Sequence, residues 1–203
     1  GGRSAARLVS EDASRLAGAA EVDDPWSRVN PICFAEPLAP WTAAMRERRP
    51  VQLTTVVEAV RTLSRQHDYV ILEGIGGLFV PLSARITVAD LAKQVGLPLL
   101  VVARPGLGTL NHTLLSLECI RRLRLPCRGV VINHTRPAPA SPMARLAERT
   151  NPAVLSRFTR VHGPLPFRSG PWKPTKAASR GLAGWISSHL GPRSLEHLVS
   201  RNI

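Results

Sequence analysis

The chain is poor in several residue types that commonly signal a function. Of its 203 residues only three are cysteine, Cys33, Cys119 and Cys127. No two of them stand in a C-x-x-C spacing, so neither a zinc site nor a disulfide framework is encoded, and each reads as a small buried or half-buried residue. No uninterrupted apolar run approaches the ~20 residues of a membrane helix. The opening residues, GGRSAARLVSEDAS, lack the apolar core of a secretory signal. Cytoplasmic residence with no membrane partner is the expectation. Aromatic residues make up 4% of the chain, and lysine occurs only as Lys93, Lys173 and Lys176.

Acidic residues are also scarce. Fourteen Asp and Glu face 27 Lys and Arg, a formal net charge of +13. Clustered cations release counterions from a phosphate backbone, which makes nucleic acid one conceivable partner. Here the arginines are dispersed, at Arg46, Arg48 and Arg49, then at Arg121, Arg122 and Arg124, then in a basic tail. No aromatics interleave with them for base stacking, and no zinc-finger or helix-turn-helix spacing occurs. The charge is read as solvated arginine-rich faces, and nucleic acid is not expected as a partner.

What the chain does contain is organised around residues 68–82, DYVILEGIGGLFVPL. Val70-Ile71-Leu72 is a short aliphatic run of the kind buried on both faces of a parallel sheet. It ends on Glu73, followed by Gly74, Gly76 and Gly77. Ligands of open α/β sheets bind beyond the carboxyl ends of the strands. An acid there, beside glycines that let a backbone come close, is a way to hold a phosphate-bound Mg²⁺. A plain strand followed by a glycine turn fits the same residues, and this segment alone does not choose between the two.

The remainder reads as alternating elements. Ser10 is placed to cap a short helix carrying Asp12 on its first turn, where the helix dipole alone favours an acid. Residues 21–50 are rich in turns, with a helix starting just after Pro40. Residues 51–66 put Leu53, Val56, Val57, Val60 and Leu63 on one helical face. A helix over 87–96 ends at Gly96. LPLLVVAR at 97–104 predicts a second buried strand, and a glycine-bearing loop leads into a helix from about Thr109 to Leu123. Val130-Val131-Ile132 predict a third strand ending on Asn133. A helix over Pro142 to Arg149, more helix at PAVLSRF and a short strand and loop at 161–167 follow, with helices at about 177–190 and 194–202. This rhythm predicts an α/β fold with a mostly parallel sheet and helices on both faces, in one domain over residues 1–203 with no internal repeat.

Taken together, DYVILEGIGGLFVPL, TVADLAKQVGLPLLVVARPGLGTLNHTLLSLECIR, GVVINHT and VHGPLPF resemble the ATP-dependent dethiobiotin synthetases. VNPICFAEPLAPWTAA and SEDASRL match further segments of that family, so the likeness runs from about residue 10 to residue 168. Residues 169–203 are expected to be a divergent C-terminal helical region. The resemblance implies a P-loop NTPase-like fold and a homodimer that uses ATP and Mg²⁺ to join CO₂ to 7,8-diaminononanoate. It assigns Asp12 and Glu73 to Mg²⁺. It assigns Glu73, Gly74, Ile75 and Gly76 to the nucleotide-contacting strand end. Asn133 matches the residue that reads the adenine edge, with His134 beside it, and Pro166, Phe167 and Arg168 match the loop that closes over the adenine. Gly108, Thr109, Leu110 and Asn111 match the segment that reaches across the dimer to the diaminononanoate carboxylate.

The chain departs from the family in one large respect. No G-x-x-x-x-G-K-[ST] occurs anywhere in it, and none of its three lysines stands in a comparable motif. A loop of that kind supplies the amides, lysine and hydroxyl that stabilise transferring phosphate. The chain is therefore expected to lack the N-terminal phosphate-loop strand and the catalytic lysine, and to transfer phosphoryl groups poorly as written. Of two origins for this, a fragment or misplaced gene start is preferred to a decayed relative, because the downstream site residues are all present. An amidoligase of the cobyrinic acid synthase type is an alternative, although those carry a glutaminase domain for which there is no room. A non-catalytic basic remnant, binding nucleic acid or serving as a scaffold, is the other.

Overall fold

The structure is a computed structural model, and it describes residues 8–169. The chain divides into two compact units, the division along the described residues falling between Val95 and Gly96. The first is helical. Helix α1, Glu11–Ala20, begins where Ser10 Oγ accepts from the Ala13 N–H at 3.3 Å, the predicted cap. It stops at Glu21, whose φ of 54° leaves the helical region. A four-residue helix α2, Trp26–Val29, has no counterpart in the sequence reading. Helix α3, Pro40–Arg46, starts on its proline, where a missing N–H costs nothing.

Helix α4, Leu53–Gln66, carries the predicted stripe and buries Leu53, Val57 and Val60. Each such side chain removed from water contributes about 1.5–3 kcal/mol. Its C-terminal end is tied to the start of α2 by Arg28 Nη1 donating to Gln66 Oε1 at 3.2 Å and by His67 Nε2 lying 2.8 Å from Asp24 Oδ2. Helix α5, Val88–Val95, ends before Gly96, whose φ of +74° suits the stop.

Residues 69–73 differ from expectation. They form no strand and pair with none. Ile71 is 91% exposed and Tyr69 62%, so the run is not buried on both faces. An aliphatic run sets which faces a strand would bury, but a strand exists only where a neighbouring backbone supplies the ladder. The next residues are well held. Val80 N–H donates to Gly77 O (3.0 Å), Val88 N–H to Val80 O (3.0 Å) and Ala89 N–H to Leu78 O (2.9 Å), stapling the loop to the start of α5.

The second unit contains the sheet. Strands β1, Leu99–Ala103, β2, Cys127–Asn133, and β3, Val161–Leu165, lie parallel in the order β1-β2-β3. Helix α6, Thr109–Arg122, connects β1 to β2, and helix α7, Pro142–Leu155, connects β2 to β3. This is the parallel α/β arrangement that the alternation predicts. β1 is less buried than expected, because Leu100 and Val102 on one of its faces are exposed. β2 is central, and Val130, Ile132, Ala103 of β1 and Leu155 of α7 form the core, with Leu110, Leu114 and Leu117 of α6 packed against it. α7 is one continuous helix through Pro152, where a break was open. Cys119 is buried and Cys33 half-buried as read, but Cys127 at the start of β2 is exposed. The C-terminal helices expected beyond residue 176 lie outside the described residues. Among those described, no helix is long and apolar enough to cross a membrane.

Candidate active site

Each unit carries its own group of the residues singled out above. In the first unit, Glu73 follows the aliphatic run 70–72, and Glu73 through Gly77 are all exposed. The turn is built for glycine. Gly76 has φ +68°, and a Cβ there would stand 2.7 Å from Val80 Cγ2, while a Cβ on Gly74 would meet Val88 Cγ1 at 3.7 Å. Gly76 therefore lets the turn close on Val80, while the Glu73 carboxylate stays in solvent.

Asp12 lies on the first turn of α1, with its side chain 83% exposed and Arg15 Nη1 3.9 Å from its Oδ1. Among the described residues no three His, Cys, Asp or Glu side chains cluster into a cage for a metal. Mg²⁺ does not need one. It keeps several waters and is commonly held by one or two carboxylates together with substrate phosphates. Two exposed hard-oxygen carboxylates fit that ion in type.

In the second unit the parallel register brings two predicted segments together. Asn133, the last residue of β2, pairs with Leu165, the last of β3. His134 N–H donates to Leu165 O at 3.0 Å. The Asn133-His134 pair thus lies beside the start of Pro166-Phe167-Arg168, which are exposed. This is the carboxyl end of the sheet, where α/β folds place their ligands.

At the end of β1, Pro105-Gly106-Leu107-Gly108 turns into α6. Gly108 is the N-cap, with φ +89°, and a Cβ there would lie 3.4 Å from His112 Nε2. The N–H groups of Leu110 and Asn111 belong to the first turn, which has no acceptors within the helix. Thr109 is buried and shares a 3.3 Å hydroxyl contact with Thr113, while Asn111 and His112 are exposed. A shallow cavity of about 140 Å³ is edged here by Arg104, Thr109, His112 and Ser116. A helix start of this kind, with a cation nearby, is suited to an anion.

Two residues near these segments were not found by sequence reasoning. Glu148 of α7 has Oε2 3.6 Å from His134 Nδ1, with both side chains largely buried. Asn151, also of α7, is buried and bonds the Pro105-Gly106 turn. Neither belongs to a motif, and only the three-dimensional approach of α7 reveals them.

Comparison with known proteins decides the family. A family model described as an AAA domain matches residues 4–169. An ATP-dependent dethiobiotin synthetase BioD of Anaeromyxobacter sp. (strain K) is 46% identical over 177 residues, covering 86% of this chain and 75% of that protein. The protein of the same name from Anaeromyxobacter dehalogenans (strain 2CP-C) is 47% identical over the same shares. That of Thermodesulfovibrio yellowstonii is 37% identical over 169 residues, 79% of this chain and 69% of its own. The chain belongs to the ATP-dependent dethiobiotin synthetase family. Dethiobiotin synthetases are ATP-dependent ligases of biotin biosynthesis, and the parallel sheet described above is consistent with their P-loop NTPase-like fold. This dethiobiotin synthetase homologue carries Asp12 and the Glu73–Gly76 segment before Val95, and the Gly108–Asn111, Asn133-His134 and Pro166–Arg168 segments after Gly96.

Proposed function

We propose that the chain serves the conversion of 7,8-diaminononanoate, CO₂ and ATP to dethiobiotin, ADP and phosphate. In this reading one amine of the diamine takes up CO₂ as a carbamate with loss of a proton. A carbamate oxygen then takes the γ-phosphoryl group from ATP. The second amine attacks the carbamate carbon, phosphate leaves, and the ureido ring closes. Asp12 and Glu73 would hold a Mg²⁺ against the ATP phosphates, where the ion neutralises developing charge. Glu73 to Gly76 would lie along the nucleotide. Asn133 would read the adenine edge with His134 beside it, and Pro166 to Arg168 would cover the ring.

The segment Gly108 to Asn111 would take the carboxylate of the diamine from a second protomer, so the working form is a homodimer. Exposure of Gly108 and Asn111 and the open first-turn amides of α6 support that role. No phosphate-loop lysine or Ser/Thr occurs in these 203 residues, so phosphoryl transfer by them alone is proposed to be slow.

The observation that carries the reading is the 46–47% identity with proteins named ATP-dependent dethiobiotin synthetase over 86% of the chain. Calorimetric titration with ATP·Mg²⁺ and, separately, with 7,8-diaminononanoate tests it. Saturable binding of both is expected; binding of neither would contradict the proposal.

A further inference from the structure

Helix α7 presents two polar side chains three residues apart, Glu148 and Asn151, and residues at that spacing share a face. Asn151 is only 8% exposed. Its Nδ2 donates to Pro105 O at 2.8 Å and to Gly106 O at 3.2 Å, across 46 and 45 residues of chain. An amide nitrogen has two hydrogens, so both are spent on this one turn. The turn leads directly into Gly108 and the first turn of α6, where Thr109 N–H donates to Gly106 O and His112 N–H to Gly108 O. Glu148 lies close to the same turn, its Oε1 3.9 Å from where a Cβ on Gly106 would stand. Pro105 is buried, so its carbonyl would be costly to leave without a donor.

We propose that Asn151 is a positioning residue for the diamine carboxylate. By holding the carbonyls of Pro105 and Gly106, it fixes the direction in which α6 starts and hence where the Leu110 and Asn111 amides point. It does not touch the ligand. The proposal rests on the reading of Gly108 to Asn111 given above and deepens it. A rigid, pre-set helix start binds a carboxylate without first paying to order the loop, whereas a loosened turn must be ordered on binding.

Two variants separate the hydrogen bonds from packing. Asn151→Ala removes the donors and the volume, while Asn151→Asp keeps the shape and replaces the donors with acceptors facing two carbonyl oxygens. Affinity for 7,8-diaminononanoate and for ATP is measured by calorimetry, and amide exchange is followed at Thr109, His112 and, as a reference, Val130 to Ile132. Both variants are expected to lose about tenfold in diamine affinity and in protection at Thr109 and His112. ATP affinity and protection of β2 should stay unchanged. Full diamine affinity in Asn151→Asp would overturn the proposal. So would parallel loss of ATP binding, diamine binding and β2 protection, which marks a general structural role. If the unsubstituted chain takes up no diaminononanoate, the reading of Gly108 to Asn111 falls and this proposal with it. That outcome is seen before any variant is compared.

Discussion

A Cβ placed on Gly76 would stand 2.7 Å from Val80 Cγ2, at a φ of +68° that residues with a side chain rarely adopt. Two penalties therefore coincide at one residue, three positions after the candidate metal ligand Glu73. Gly76→Ala is predicted to destabilise the first unit by about 1–3 kcal/mol through backbone strain and the forced shift of Val80. Urea unfolding of the variant checks this, and an unchanged midpoint would show that the turn relaxes freely.

Gly129 in β2 is under a tighter constraint. A Cβ there would be 2.4 Å from Arg160 O, a backbone atom, and φ is +115°. The same carbonyl accepts from Val130 N–H at 2.9 Å, so moving it away breaks the contact that joins β2 to the start of β3. Gly129→Ala is predicted to cost about 2–4 kcal/mol, more than Gly76→Ala, because a main-chain atom cannot rotate away. Comparing the unfolding midpoints of the two variants tests the ranking.

Asp90 links stability to pH. Thr87 N–H and Thr87 Oγ–H both donate to Asp90 Oδ2 at 2.8 Å, capping the start of α5. The backbone and then the hydroxyl hydrogen bond of Thr87 hold the carboxyl below its ordinary value of 3.8. A native pKa below the unfolded one means that the cap contributes fully above pH 3.8 and loses its contribution as pH falls through the native value. Asp90→Ala is predicted to cost about 1 kcal/mol at pH 7. The difference from the unsubstituted chain should shrink below pH 3.8. Thermal unfolding between pH 7 and pH 2 follows it, and a constant difference would sink the assignment.

Glu73 has a distinct expected signature. If its carboxylate meets Mg²⁺ on the ATP phosphates, Glu73→Gln removes a charge from that contact and leaves the adenine segment alone. Affinity for ATP·Mg²⁺ is predicted to fall about tenfold, the range of one charge-assisted contact, while AMP binding stays the same. Equal loss for ATP and AMP would remove Glu73 from the metal and make it a support of the turn.

Much of this architecture is legible in the residues. The apolar runs at 99–103 and 130–132, separated by helical stripes, predict a parallel sheet because strands buried in such sheets are continuously hydrophobic. The Ser10 cap and the α4 stripe follow from local chemistry alone. Val70-Ile71-Leu72 carries the same pattern yet forms no strand and leaves Ile71 exposed, because both pairing and burial depend on a neighbouring backbone. α2 escaped notice because four residues carry no periodicity. The helix expected over Pro142 to Arg149 and the further helix expected at PAVLSRF are one element, α7, which runs through Pro152.

The site divides along the same line. Asn133 and Pro166 come together because parallel strands end on one edge, a consequence of alternation that the sequence already implies. Glu148 and Asn151 do not show, because their partners lie far away in the chain and neither has a spacing that signals a role. The family roles of Asp12 and Gly108 to Asn111 rest on resemblance and not on any local pattern, whereas for Glu73 an acid beside glycines offered a metal reading that the segment alone did not decide.

The most direct test of the account compares two diamines by calorimetry: 7,8-diaminononanoate and the same diamine without its carboxylate. The open amides at the start of α6 predict that the first binds and that the second binds at least about tenfold more weakly, the worth of a charge-assisted contact. Equal affinity for the two, or no binding of diaminononanoate at all, would contradict the assignment of this chain's α6 start to the substrate of a dethiobiotin synthetase.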